Sequence, residues 1–92
     1  MSAYLFVYTR EPGKDYTALH NNIKNDFHIT NWWHYLNSSY ILISSYSSDT
    51  LSDSIRNYYS GHFILFKINR SNYNGWMPKD AWEWIRNNID LY

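Results

Sequence analysis

The 92-residue sequence is long enough for one domain with a hydrophobic core but too short for two. Its eight basic and eight acidic side chains cancel, which excludes a strong overall attraction to nucleic acid or to an anionic membrane, so charge-driven binding has to be local. The absence of cysteine excludes disulfides, cysteine nucleophiles and cysteine-ligated zinc.

Aromatic side chains are unusually frequent for so short a chain, with five Trp, ten Tyr and four Phe. One copy can hardly bury all of them, and aromatic side chains left at a surface are commonest where another protein docks. The alternative is that they are large core residues of a small domain. We nevertheless expect some self-association.

The first apolar run, Ala3 to Tyr8, predicts a strand in the middle of a sheet because it is apolar on both faces. The run is too short for a membrane span and no basic region precedes it, so no signal peptide or membrane partner is expected and the protein is predicted to be cytoplasmic. It ends at Glu11-Pro12-Gly13, a turn in which Pro presets φ and Gly allows a positive φ.

A helix is predicted after this turn, with Asp15 capping its first amides. Its inward stripe has residues spaced three or four apart, namely Tyr16, Leu19, Ile23 and Phe27. A β-hairpin follows, in which the arms Trp32 to Leu36 and Tyr40 to Ile43 flank the turn residues Asn37-Ser38-Ser39.

The second half of the chain repeats the alternation of helix and strand. Ser48 or Asp49 is predicted to cap a helix that ends at Ser60-Gly61, and the strand His62 to Ile68 follows it. The apolar stripe of that helix is Leu51, Ile55 and Tyr58 or Tyr59.

A polar loop from Arg70 to Asn74 then closes at Gly75 and leads to a last amphipathic helix. Pro78 suits the first turn of this helix. Its apolar stripe comprises Ala81, Trp82, Ile85 and Ile89, with Trp84 beside it.

The order β-α-β-β-α-β plus a C-terminal helix predicts an α+β, ferredoxin-like domain over residues 1–92, built on a four-stranded antiparallel sheet. The first and third strands are expected at the centre and the second and fourth at the edges, where His34 and Lys67 lie. Two helices would cover one face of the sheet. The last helix or a second subunit would cover the other.

The strings YLFVYT-x2-PGKDY, WWHYLNSSYILIS and GWMPKDAWEWI resemble the SinR-like family of small bacterial proteins over nearly the whole chain. That family is related in fold to the small CRISPR adaptation protein, the second member of the Cas series. The resemblance implies a homodimer in which an Asp at the end of the first strand holds Mg²⁺ or Mn²⁺ for phosphodiester cleavage. This chain has Tyr8-Thr9 where the family often keeps Tyr-Asp, so no metal or other cofactor is expected.

The candidate catalytic residues lie where the end of the first strand is predicted to meet the start of the fourth: Tyr8, Thr9, Arg10, Glu11 and His62. A Tyr, an Arg and a His at one rim could bind an anion or transfer protons to a phosphate. The alternative is that His62 only bonds to the backbone at the end of a strand. No two histidines have the i, i+4 spacing of helical metal ligands, and no metal site is expected.

Two main hypotheses follow. The first is a homodimeric, non-catalytic interaction domain whose interface includes Trp32, Trp33, Trp76, Trp82 and Trp84. The second is a nuclease, either metal-dependent with Glu11 or another acid in place of the missing Asp, or metal-free with His62 and Tyr8. A defence or toxin–antitoxin accessory protein is a third hypothesis. Bases could stack on an exposed aromatic sheet, but the basic residues nearest the strand ends fall at opposite rims: Arg10 and Lys14 at one, Lys67 and Arg70 at the other.

Overall fold

The computed structural model describes residues 1–69 and 72–89, so Arg70, at the start of the predicted polar loop, lies outside the described residues. The chain forms an α+β fold with four strands and three helices in the described part. The strands are β1 (Ser2–Tyr8), β2 (Asn31–Trp33), β3 (Ser39–Ser44) and β4 (Phe63–Lys67), and the helices are α1 (Thr17–Asn25), α2 (Ser48–Arg56) and α3 (Lys79–Asn88).

The four strands form one antiparallel sheet in the order β2-β3-β1-β4. This confirms the predicted class, with the first and third strands in the interior and the second and fourth at the borders. In the register, Phe6 lies opposite Tyr40 on one side and Leu65 on the other. β1 has a neighbouring strand on each side and packing on both faces. An interior strand of this kind needs apolar side chains on both faces, which accounts for its continuous apolar run.

The main core lies between the sheet and the helices α1 and α2. Side chains of the strands that point toward this face alternate with side chains that point away, as the pleat requires. The buried members of this core are Tyr4, Phe6, Tyr8, Leu19, Ile23, Ile29, Tyr40, Leu42, Leu51 and Ile55.

The opposite face of the sheet, which we call the outer face, is only partly covered by α3. Ala3 and Ile43 of the sheet form a second buried cluster with Ile85 and Ile89 of the last helix. The predicted stripe of α3 is therefore confirmed, including the half-buried Trp82 and Trp84 that pack against this cluster. Of the helices in the described residues, none is long and apolar enough to cross a membrane.

Several boundaries differ from the sequence predictions. The sequence predicts a first hairpin arm that extends to Leu36, but the strand ends at Trp33. Helix α1 ends at Asn25, so Phe27 lies beyond the helix and is 79% exposed instead of facing the core. The second helix ends at Arg56, four residues before the predicted Ser60-Gly61, although Tyr58 and Tyr59 still pack on the core.

The predicted turn at Glu11-Pro12-Gly13 is confirmed, since Gly13 has a φ of 77° that other residues rarely adopt. Asp15 is not the N-cap of the first helix as predicted, because that position is Tyr16. Its Oδ1 nevertheless accepts from the N–H of Thr17, the first residue of the helix, at 2.9 Å. The last helix begins one residue later than predicted, with Pro78 in the N-cap position.

The cap of α2 is Ser47 and not Ser48 or Asp49, since the Ser47 hydroxyl accepts from the Thr50 N–H at 3.2 Å. We expect Ser47→Ala to lower the free energy of unfolding by about 1 kcal/mol because that amide then loses its acceptor. Ser48→Ala is the matched control and should change it by less than about 0.5 kcal/mol. Urea unfolding followed by circular dichroism measures both changes. An equal loss of stability in the two variants would show that Ser47 is not the cap.

Candidate functional site

The end of β1 and the start of β4 meet as predicted. Tyr8 lies opposite Phe63 in the sheet, and the Thr9 N–H donates to the His62 carbonyl at 3.1 Å. This bond uses only backbone atoms, so it brings the two residues together and does not involve the exposed imidazole of His62.

The side chains at this rim separate onto two sides. The guanidinium of Arg10 lies 4.7 Å from the centroid of the Tyr16 ring, and its Nη1 donates to the Tyr8 hydroxyl at 3.2 Å and to the Asn37 carbonyl at 3.1 Å. Tyr8 donates to the same Asn37 carbonyl at 2.8 Å. The polar groups of Tyr8 and Arg10 therefore bond at the hairpin turn, and neither residue lines the polar cleft beside His62. Tyr8 and His62 do both line a shallow depression of about 320 Å³ at the end of β1.

A polar cleft of about 240 Å³ lies on the His62 side of the rim. Its walls are held by the Tyr59 hydroxyl, which donates to the Thr9 carbonyl at 3.2 Å, and by an ion pair of 3.7 Å between Lys14 and Glu11. The predicted acid, Glu11, is thus already beside a cation. The residues that line the cleft are Thr9, Glu11, Lys14, Tyr16, Tyr59, Ser60, Gly61 and His62.

The residues of this cleft do not fit a divalent metal of the kind that the resemblance implies. Mg²⁺ prefers several oxygen ligands with carboxylates among them. Thr9 offers one neutral hydroxyl and Glu11 faces Lys14, and residues 1–69 and 72–89 contain no group of three or more His, Asp or Glu side chains that could hold a metal ion.

A second cluster surrounds the hairpin turn, and the sequence did not predict it. His34 Nδ1 donates to the Ser39 carbonyl at 2.9 Å, and the His34 ring stacks on the Tyr40 ring with centroids 4.1 Å apart. The Tyr40 hydroxyl lies 2.8 Å from Nδ1 of His20, which comes from α1. The available signal was the hairpin register, because the pairing of Trp33 with Ile41 sets His34 next to Tyr40.

The protonation of this cluster follows from its surroundings. Burial raises the pKa of Tyr40 to about 12, with the neighbouring Tyr8 adding to the rise and Arg10 opposing it. Tyr40 therefore keeps its proton at neutral pH, and its hydroxyl shares a hydrogen bond with Nδ1 of His20. Burial, together with the positive charges of Lys24 and His34, lowers the pKa of His20 below its ordinary value of 6.5.

The five tryptophans predicted for an interface are dispersed in one copy of the chain. Trp32 lies on the helix-covered face, with its ring edge-on to His20 at 5.0 Å. On the outer face, Trp33 stacks on Trp84 with centroids 5.7 Å apart, and Trp82 stacks on Tyr73 at 6.4 Å. Trp76 differs from the others because it is 99% exposed.

An apolar groove of about 340 Å³ runs along the outer face between the sheet and the segment before α3. Leu5 and Ile41 form its floor, and Trp76 and Met77 form part of its wall. Beside the groove, the chain leaves large apolar side chains of β4 in solvent. The groove and these side chains give the outer face a continuous apolar character.

The chain was compared with protein-family models, with curated proteins and with solved structures. No family model, no curated protein and no solved structure matches it. The resemblance to the SinR-like family therefore stays a prediction.

Proposed function

We propose that this protein is a cytoplasmic homodimer that serves as a non-catalytic interaction domain of the SinR-like kind, with the family's metal-dependent cleavage lost. The observation that supports it is the apolar outer face, which α3 covers only in part and which leaves Ile64 and Phe66 exposed in one copy of the chain. Loss of the acid at Thr9 supports the second part of the proposal, because the remaining groups do not suit a hard cation.

The exposed part of the outer face lies along β4. Ile64 is 50% exposed and Phe66 is 54% exposed, although both belong to types that are usually buried. The neighbouring outer-face residues Leu5, Val7 and Ile41 are only half-buried. No charged residue lies on the outer face of the four described strands, so two copies could approach through it without bringing like charges together.

The edge strand β4 is also suited to pairing with itself. In an antiparallel pair around a two-fold axis at Leu65, Ile64 of one copy lies opposite the partner's Phe66, and the reverse contact repeats it. Such aromatic and β-branched pairs across strands are favourable. Lys67 would then face the partner's Phe63, which avoids a contact between two lysines.

The test is the mass in solution by light scattering over a range of concentrations. We expect a mass of twice 11.2 kDa that falls toward 11.2 kDa on dilution. Phe66→Lys should weaken the dimer at least about tenfold, because it places a charge in the contact. Phe27→Lys is the matched control: Phe27 is also exposed but lies beyond the end of α1, so the dimer should persist.

Two results would contradict the proposal. One is a monomer at every concentration for the wild-type protein. The other is the same dissociation constant for Phe66→Lys, Phe27→Lys and wild type, which would mean that self-association does not use the outer face.

Nuclease activity is the second candidate function, and the polar cleft beside Thr9 and His62 is the observation that favours it. Incubation with labelled RNA and DNA, in Mg²⁺ or Mn²⁺ and in chelator, separates its metal-dependent and metal-free forms. Cleavage that disappears in Glu11→Gln or His62→Gln would favour the enzyme. Intact substrates under all conditions would favour the interaction domain.

A further inference from the structure

Three cationic or titratable side chains converge on four consecutive residues of the hairpin. Arg10 donates to the carbonyl of Asn37, His34 donates to the carbonyl of Ser39, and His20 bonds to the hydroxyl of Tyr40. The three come from different elements: the end of β1, the end of the first hairpin arm, and α1. The turn therefore fixes their relative positions.

Each of these side chains keeps nitrogen atoms that the turn does not use. Arg10 has five N–H donors and places only those of Nη1 on protein acceptors among the described residues. His34 and His20 bond through Nδ1, and their Nε2 atoms have no hydrogen-bond partner in residues 1–69 and 72–89. All three side chains are at least partly exposed.

Two positively charged side chains, Arg10 and Lys24, accompany the two histidines. Lys24 lies one helical turn after His20 on α1 and raises the potential at that imidazole together with His34. Within the described part of the chain, neither Arg10 nor Lys24 has a carboxylate within 4.0 Å; the ion pairs found there involve other residues. In a protein with no net charge, these four side chains form a local basic strip.

We propose that this basic strip, made of Arg10, His34, His20 and Lys24, binds a phosphate group. The Arg10 guanidinium can present two parallel N–H groups to two phosphate oxygens. His34 has its proton on Nδ1 because it donates to the Ser39 carbonyl, so its Nε2 can accept a hydrogen bond from a monoprotonated phosphate. The hydrogen bond with the Tyr40 hydroxyl occupies Nδ1 of His20, which leaves Nε2 of that ring for a bond to the ligand.

This site does not depend on the dimer proposed above. The basic strip lies on the rim beside the helix-covered face, whereas the proposed dimer contact lies on the outer face and β4. A change in one is therefore expected to leave the other intact, and binding and mass can be measured on the same samples.

The test is a titration of ¹⁵N-labelled protein with inorganic phosphate, followed by NMR of the histidine ring nitrogens, with sodium chloride at equal ionic strength as the reference. We expect saturable shifts of His20 and His34 with phosphate and not with chloride. Lys24→Glu should weaken binding at least about fivefold because it places a negative charge beside the ligand. Arg10→Gln should also weaken it at least about fivefold because it removes the guanidinium fork.

Lys79→Glu is the matched control, since it makes the same charge change on an exposed lysine of α3, away from the strip. The dissociation constant of the Lys79→Glu variant for phosphate should stay within about twofold of the wild-type value, because charges far apart at a surface are screened. Lys24 is exposed on α1, so the charge reversal there leaves the core untouched.

The source of the phosphate is distinguished by parallel titrations with adenosine monophosphate and with a short single-stranded RNA. Tighter binding of the nucleotide identifies a phosphomonoester, tighter binding of the RNA identifies a phosphodiester, and both results support the site. The proposal is overturned if phosphate shifts the histidine signals no more than chloride does, or if Lys79→Glu weakens binding as much as Lys24→Glu. Loss of the dimer in Phe66→Lys with binding retained would confirm that the two surfaces act separately.

Discussion

Replacement of Phe6 by alanine should lower the free energy of unfolding by about 4 kcal/mol, because it removes a large side chain from the centre of the core. Phe6 has no exposed surface and lies in the middle of β1. Its ring centroid is 5.4 Å from those of Tyr8 and Phe63 and 6.0 Å from that of Tyr40. A domain of this size has only about 5–15 kcal/mol of stability, so the loss is large.

Urea unfolding, followed by tryptophan fluorescence, measures this loss. Phe6→Leu is included because it keeps most of the volume and should cost less than about 1.5 kcal/mol, so it remains measurable if the alanine variant does not fold. The matched control is Phe27→Ala, which removes an exposed ring and should change stability by less than about 0.5 kcal/mol. Equal effects at Phe6 and Phe27 would contradict the described core.

Asp26→Ala is expected to cost about 3 kcal/mol, since it leaves buried donors without an acceptor. The Asp26 side chain is only 3% exposed and sits at the C-cap of α1. Oδ1 accepts from the His28 N–H at 2.9 Å and lies 2.8 Å from Nδ1 of that ring, and Oδ2 accepts from the hydroxyls of Ser54 at 2.8 Å and Tyr58 at 3.0 Å. One carboxylate thus ties the end of α1 to α2.

Thermal unfolding at neutral pH measures this effect, with Asp53→Ala as the control. Asp53 is an exposed aspartate on α2, and its removal should change stability by less than about 0.5 kcal/mol. For a domain of this size, a loss of 3 kcal/mol corresponds to a fall in Tm of about 12–24 °C. Similar melting temperatures for the two variants would show that the Asp26 contacts contribute little.

The same carboxylate predicts a dependence of stability on pH. Burial by itself raises the pKa of Asp26, but hydrogen bonds from the His28 N–H, Ser54, the His28 ring and Tyr58 outweigh it and hold the pKa below the ordinary value of 3.8. The unfolded chain therefore takes up this proton first as the pH falls. The stabilisation by Asp26 is present above pH 3.8 and is lost as the pH falls through the folded-state pKa.

The stability difference between wild type and Asp26→Ala should accordingly be constant near neutral pH and shrink as the pH falls below 3.8. Urea unfolding at a series of pH values checks it. If the stability difference between the two proteins instead grew in acid, the pKa of Asp26 would not be lowered in the folded state.

Asp26 also connects the fold to the proposed phosphate site. Helix α1 carries both His20 and Lys24, and its C-terminal end is held by the Asp26 contacts with Ser54 and Tyr58. The variant Asp26→Ala is therefore unsuitable as a binding control, because it would loosen the helix that presents half of the basic strip.

The sequence by itself determined the local structure and the class of the fold. The run Ala3 to Tyr8 is apolar on both faces, and a strand with that pattern is stable only between two neighbours and two packed layers. The period of three or four in the helices and the Glu11-Pro12-Gly13 turn depend on residues a few positions apart, so they can be predicted without knowing the rest of the chain. From these elements, the antiparallel sheet order followed by rules of connection.

The tertiary structure alone decided where the side chains of the candidate sites meet. The sequence allowed Arg10 to face either His62 or the hairpin turn. It faces the turn, where Nη1 finds two acceptors, the Tyr8 hydroxyl and the carbonyl of Asn37, 27 residues away in the chain. The bond between His20 and Tyr40 joins residues 20 positions apart on different elements. Such contacts depend on the packing of α1 against the sheet and on the register of the hairpin. Local sequence patterns specify which face a residue occupies, whereas its partner across the fold is set by the three-dimensional packing of elements that are distant in the chain.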